Sequence, residues 1–346
     1  HLTVPGVEIV DCLDLGQFGD CFIPSFNYRP GGSAQYGMAI SNFDGDNPKR
    51  FNFGFIASSD NHRARPGTGY KEIDRFVTTE ANGPSSQFVA DTLYPKDEVK
   101  SESIDLRDGE LLGLRAGFGA FEAEREASFF STGGLAAVHS SGRDRSSIWE
   151  GLQRKETYGT SGDRILLWFD LVSEKSIVPM GGSAKTSNNP VFRAKAVGAF
   201  KQKDGCPDYS STNISDQEIE RICKNECYNP SDERKIINRI EVIKVTPQEY
   251  KGENVDNLIS DPWKVFTCVP SQQGCEIEFS DEEFNNGARD ASYYIRAIQE
   301  PSPAVNAGNL RCTYDDEGNC IEVNICYGDN RTSRDDDCLV LSEERA

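Results

Sequence analysis

The chain has 346 residues, a length that fits about two domains and a sizeable core. Hydrophobic residues make up 37 % and aromatic residues 10 %, which supplies too much buriable surface for a wholly disordered chain. With 37 Lys and Arg against 56 Asp and Glu, the formal charge of −19 excludes unaided binding to nucleic acid or to an anionic lipid surface, since both are polyanions.

In chain order, the start His1-Leu-Thr-Val-Pro has neither a basic n-region nor an apolar h-region, so processing or truncation is the expected origin of this end. Ser33 is placed to cap a helix over residues 34–40, and the aromatic run over 51–57 predicts a buried strand. A continuously apolar strand after a helix points to a parallel sheet covered on both faces. Residues 63–130 are polar and Gly-rich and read as a long loop insertion with short helices. Residues 134–139 predict another strand, followed by a helix with Ser146 as cap and Ile148 and Leu152 on one face, a second βα unit. From Asp163 the texture changes to strands without long helices, at 165–171, 191–200, 236–245, 265–268, 276–279 and 292–298. That pattern predicts a β-sandwich-like domain. The longest apolar run of note, Ile165-Leu-Leu-Trp-Phe169, is far short of the ~20 residues that span a bilayer.

Eleven cysteines fall in local groups: Cys12 with Cys21; Cys206, Cys223 and Cys227; Cys268 with Cys275; and Cys312, Cys320, Cys326 and Cys338 in an acidic tail. This usage predicts disulfides and an extracellular or periplasmic location. Ser215-Asp-Gln-Glu218 reads as a capping box that would place Cys223 and Cys227 on one helix face, with one of them bonded to Cys206. Structural zinc is the alternative, but only the Cys223 to Cys227 spacing suits it and no His lies nearby. An odd total leaves one thiol over.

The chemistry-bearing motif is Asp60-Asn-His62 at the end of the predicted first strand. In extended chain, residues i and i+2 project to one side about 6.5 Å apart, so the carboxylate and imidazole can reach one metal ion. A loop-capping Asp beside a surface His is the alternative. Arg63 and Arg65 follow directly and are candidates for an anion pocket. His139, at the end of its own strand, is a candidate for the same site or for a structural hydrogen bond. Arg143, Arg145 and Arg164 are candidate anion contacts, Arg164 foremost because of its setting in Thr160-Ser-Gly-Asp-Arg. Ser161 lacks a His-Asp partner pattern, and no Walker lysine follows the glycines. Asp44-Gly-Asp46-Asn47 lacks the remaining features of a calcium loop.

The run Gly54-Phe-Ile-Ala-Ser-Ser-Asp60-Asn-His62-Arg-Ala-Arg-Pro66-Gly67 resembles the bacterial family known as domain of unknown function 3604. So do Gly133-Gly-Leu-Ala-Ala-Val-His139, Arg154-Lys-Glu-Thr-Tyr-Gly-Thr-Ser-Gly162-Asp-Arg and Val178-Pro-Met-Gly-Gly182, in that order. That family is similar to the polymerase-and-histidinol-phosphatase (PHP) superfamily, whose distorted (β/α)7 barrel binds two or three divalent metals and ends its last strand in Asp-x-His. The resemblance implies that Asp60 and His62 are metal ligands; as catalytic residues they are expected to act with Arg164, which would bind the anion, and with divalent manganese, zinc or iron as cofactor.

The superfamily's early His-x-His is missing, and the chain has three His in all: His1, His62 and His139. The resemblance therefore implies an α/β plus β chain in which residues 1–162 are the C-terminal part of the barrel and 163–346 a β-rich, disulfide-stapled domain. An N-terminal half of the same protein would supply the other ligands, and this chain alone would be inactive. The expected function is that of a secreted metal-dependent hydrolase acting on a small anionic substrate, a phosphoester. The rival expectation is a secreted non-catalytic binding or structural module held by disulfides.

Overall fold

The computed structural model describes residues 33–45, 47–58, 134–173, 176–212, 214–223, 225–284, 289–305, 312–314, 316, 320–323 and 339–346. Helix α1 (Ala34–Ala39) opens at Ser33, whose Oγ accepts the Tyr36 N–H at 3.1 Å, as its position before an apolar run predicts. The short strands β1 (Ser41–Asn42) and β2 (Lys49–Arg50) pair antiparallel. Then come β3 (Leu135–Val138), α2 (Arg145–Gln153) and β4 (Thr157–Thr160).

Thirteen strands follow: β5 (Leu166–Val172), β6 (Ile177–Pro179), β7 (Val191–Val197), β8 (Phe200–Gln202), β9 (Pro230–Arg234), β10 (Ile237–Val245), β11 (Ile259–Thr267), β12 (Cys275–Ser280), β13 (Ser292–Gln299), β14 (Ser302–Val305), β15 (Cys312–Tyr314), β16 (Cys320–Val323) and β17 (Leu339–Ser342). Helix α3 (Asp216–Cys223) lies between β8 and β9.

Two antiparallel sheets build the main core. One has the order β12-β7-β5-β6 and the other β11-β10-β13. Period-two alternation puts Ile165, Leu167 and Phe169 inside while Leu166 and Trp168 face out, and Phe192, Ala194 and Ala196 of β7 point the same way. Against them the second sheet buries Ile240 and Val242 of β10 and Ile295 and Ala297 of β13. Phe192 stacks on Phe169 and Phe279 at ring separations of 5.4 and 5.3 Å, joining three strands of the first sheet. Burying each large side chain stabilises by about 1.5–3 kcal/mol.

The other face of the second sheet carries a smaller core, in which Ile243 and Val245 meet Ala39 of α1, Val255 and Leu258. Gln35 fixes α1 there by donating to Tyr294 Oη at 2.6 Å. The early segment is therefore docked on the sandwich.

The structure overturns the expected (β/α)7 barrel. Such a barrel needs parallel strands joined by helical crossovers. Every ladder among the described residues is antiparallel, and those residues hold three α-helices and no closed barrel.

The β3–α2–β4 unit shows the physical reason. Val138 pairs with Thr157 and Leu135 with Thr160, and the His139 N–H donates to the Glu156 carbonyl at 2.8 Å. The connection thus begins and ends at the same end of the pair, so α2 caps a hairpin and does not cross over. Its N-cap is Asp144, whose carboxylate accepts the Ser147 N–H at 3.0 Å, and not the expected Ser146. The expected strand over 51–57 is irregular, with Phe51 63 % and Ile56 70 % exposed.

The Cys268–Cys275 disulfide forms as its spacing predicts, and Cys206 bonds Cys227. Half of the capping box forms: the Glu218 N–H donates to Ser215 Oγ at 3.2 Å, while the Glu218 carboxylate pairs with Arg221. The expected shared helix face for Cys223 and Cys227 is not: α3 ends at Cys223, and Asn225 with φ of 62° turns the chain, leaving Cys223 as the free thiol among the described residues. The two bonds are compatible with an extracellular location. Among the described residues no helix is long and apolar enough to cross a membrane.

Candidate functional site

The site begins at the segment that leads to Asp60. Residues 52–58 cross the β3–β4 hairpin in the same direction as β4. A Cβ on Gly54 would meet Lys155 Cβ at 2.9 Å, and one on Gly159 would meet Ala57 Cβ at 2.7 Å. Asn52 is held by Lys155, whose Nζ donates to its Oδ1 at 2.7 Å. Lys155 has φ of 58°, and a Cβ on Gly181 would lie 2.2 Å from its carbonyl oxygen, so Gly181, itself at φ +81°, lets the 178–182 turn close on this corner. Phe55 reaches the sandwich through Tyr294, at a ring separation of 5.7 Å.

Ser58 therefore arrives where β3 begins and β4 ends: a Cβ on Gly134 would lie 3.1 Å from the Ser58 carbonyl oxygen and 3.2 Å from that of Thr160. At this end the loop 161–164 is anchored residue by residue. The Gly162 N–H donates to Thr160 Oγ1 at 3.2 Å, and Ser161 Oγ accepts the Arg345 N–H at 2.8 Å and donates to Glu344. Asp163 is 7 % exposed and pairs with the equally buried Lys235 at 2.8 Å, and Gln299 Nε2 donates to the same carboxylate oxygen. Gln299 Oε1 in turn accepts the Ala199 N–H at 3.1 Å.

Arg164 is exposed, with its guanidinium 3.8 Å from the ring centre of Tyr228. Among the described residues its N–H groups have no hydrogen-bond partner. An aromatic face that holds a guanidinium while its donors stay unengaged suits anion recognition.

His139 lies at the opposite end of β3, four residues from Leu135, which places it about 13 Å along the strand from where Ser58 arrives. Its Nε2 meets the Leu167 carbonyl at 2.8 Å and therefore donates, and its ring packs on Tyr158 and Trp168. Those contacts turn the ring toward β5. The nearby Asp170 carboxyl is raised above its ordinary range by burial, and Arg193 and His139 offset part of that rise. Arg143 is exposed in the bend before α2. No hydrogen bond, ion pair or ring contact joins His139, Arg143 and Arg164 among the described residues.

Asp60, His62, Arg63 and Arg65 lie outside the described residues. Carboxylate and imidazole are a donor pair suited to a first-row divalent cation. Among the described residues no group of three or more His, Cys, Asp or Glu side chains is placed to hold a metal ion.

Asp163 and Lys235 escape a reading by motif, yet parity hints at one of them. Asp163 lies in the bend before β5, and its odd-numbered position relative to Ile165, Leu167 and Phe169 is only a hint, since strand alternation does not hold through a bend; a charge buried there requires a partner.

Residues 27–170 match the model of a family described as a protein of unknown function, DUF3604, which supports that family for this stretch. Among the described elements the matched span holds α1, β1, β2, the β3–α2–β4 hairpin and the first five residues of β5. No curated protein and no solved structure matches the chain.

Proposed function

We propose that the chain contributes to a secreted divalent-metal-dependent hydrolase of small anionic esters, phosphoesters above all. Asp60 and His62 would be metal ligands, and Arg164 would bind the anion. The carrying observation is the one-ended arrangement of the hairpin: the segment leading to Asp60 arrives beside Thr160, and the loop that follows Thr160 presents Arg164, whose donors are unengaged among the described residues. Likeness to the PHP superfamily enters through the Asp60-Asn-His62 pair and not through the fold. Two ligands are too few for a metal centre, so further donors would come from another segment of the same protein. The chemistry that bound cations supply is polarisation of the ester and acidification of a coordinated water. Arg164 would orient the anion by charge-assisted hydrogen bonds.

The test is turnover of phosphomonoesters, phosphodiesters and sulfate esters by the full-length protein with manganese, zinc or iron. Arg164→Gln is expected to raise KM for the preferred ester at least about tenfold, a loss of roughly 1.4 kcal/mol. Unchanged KM would remove Arg164 from the site. A second reading, a non-catalytic binding or structural module, draws support from the two disulfides and from a loop whose Ser161 and Asp163 are committed to packing. Absence of turnover on every ester with a folded, metal-loaded protein would favour it.

A further inference from the structure

Arg164 starts from a fixed stretch of backbone. It lies between Asp163, whose buried carboxylate accepts from Lys235 at 2.8 Å and from Gln299, and Ile165, which is 1 % exposed and whose carbonyl accepts the Tyr158 hydroxyl at 3.0 Å. What remains to be set is the direction of its side chain, and the guanidinium lies 3.8 Å from the centre of the Tyr228 ring. A ring face attracts a guanidinium but offers no oxygen acceptor, so it holds the cation while leaving its five donors for a ligand.

Tyr228 is itself presented from a stapled arm. On one side of it the Glu226 carboxylate accepts the Gly205 N–H at 3.1 Å, and Cys227 bonds Cys206 and donates its N–H to the Gly205 carbonyl at 3.4 Å. On the other side the Asn229 N–H donates to Gln202 Oε1 at 2.9 Å, the Asn229 carbonyl accepts the Lys203 N–H at 2.7 Å, and Pro230 stands opposite Gln202 in the β8–β9 ladder. The backbone flanking the ring is thus tied to residues 202–206 before and after Tyr228. A long side chain that is already held loses less freedom when it binds, and affinity rises by that difference.

We propose that Tyr228 is a positioning residue for anion recognition: from the arm closed by Cys206–Cys227, its ring holds the Arg164 guanidinium ready for an oxyanion taken in two-pronged fashion, a phosphate or sulfate group. This role rests on the reading of Arg164 as the anion contact.

The experiment uses the full-length protein, with Arg164→Gln, Tyr228→Leu, Tyr228→Phe and the double variant Arg164→Gln/Tyr228→Leu. Two quantities are read: affinity for inorganic phosphate by calorimetry, and the resonance of the Arg164 Nε–H, which the ring current of Tyr228 displaces. Arg164→Gln is expected to weaken phosphate binding at least about tenfold. Tyr228→Leu is expected to weaken it about three- to tenfold and to move the Nε–H resonance to its unstacked position. Tyr228→Phe keeps the ring and should restore both, and the double variant should bind no more weakly than Arg164→Gln alone.

An unmoved Nε–H resonance in Tyr228→Leu would overturn the proposal, as would a moved resonance with wild-type phosphate affinity. A loss in Tyr228→Leu that recurs in full on the Arg164→Gln background would make Tyr228 a packing residue only. Phosphate binding that is absent in the wild type, or retained in Arg164→Gln, would instead refute the anion reading of Arg164, and the positioning role with it.

Discussion

Asp281 is fully buried, with Lys244 Nζ at 2.5 Å and Tyr293 Oη at 2.6 Å. Burial pushes its carboxyl up, but the hydrogen bonds from Lys244 and Tyr293, the Lys244 charge and the Glu283 N–H together hold it below its ordinary value of 3.8. The same carboxylate, with burial, holds the Tyr293 phenol protonated well above its usual range. A carboxyl that is more acidic folded than unfolded contributes stability in full above about pH 4, and that contribution is lost as the pH falls further. Lys244→Met should therefore flatten the loss of stability between about pH 4 and pH 2 as well as lowering stability at neutrality, read from urea unfolding across that range. An unchanged acid slope would contradict this. The Asp163–Lys235 pair gives a second prediction. Asp163→Ala takes away the carboxylate that lies 2.8 Å from the buried Lys235 ammonium and that Gln299 also donates to, and should cost more than about 1 kcal/mol in urea unfolding. A cost under about 1 kcal/mol, the range of exposed pairs, would show that the pair is not buried in solution.

At the scale of elements, Asp144 and Ser146 are both cap-competent and two residues apart, so sequence leaves the start of α2 open by half a turn. The structure decides it through the Ser147 N–H and Oγ, which both bond the Asp144 carboxylate and hold its carboxyl below the ordinary range. Asp144→Ala should accordingly lower the thermal midpoint and Ser146→Ala should leave it near wild type; the reverse order would restore Ser146 as cap.

Strands β5, β7 and β12 were legible because alternation over 165–171 and its counterparts reflects one buried face, and β10 and β13, which meet a core on each face, because Ile, Val and Tyr recur in them without strict alternation. Residues 51–57 were not. Their aromatic content reads as a buried strand, yet the side chains serve a glycine-lined hairpin and Tyr294, and apolar content alone does not distinguish those partners from a ladder. The βα reading of β3 and α2 failed for a related reason: local sequence shows that a helix follows a strand, while the direction of the return depends on Val138 meeting Thr157.

For the whole molecule, a charge of −19 repels anions at long range, so a bound small anion would need a local inversion of the field. Arg164 is such a point among the described residues, and a pair of cation ligands two residues beyond Ser58 would be another. The motif near 154–164 was legible as a unit, but most of it is architectural: Arg154 pairs with Glu156, Lys155 holds Asn52, Tyr158 Oη donates to the Ile165 carbonyl and Asp163 holds Lys235. Arg164 is what that architecture leaves available.

The proposed role of Asp60 and His62 as ligands of a catalytic cation is open to a single measurement: the metal content of the full-length protein after exhaustive dialysis, compared with the Asp60→Ala/His62→Ala variant at matched folding by near-ultraviolet circular dichroism. Divalent metal is expected to be retained in the first and lost in the second; equal metal content in both, or none in either, would refute the role.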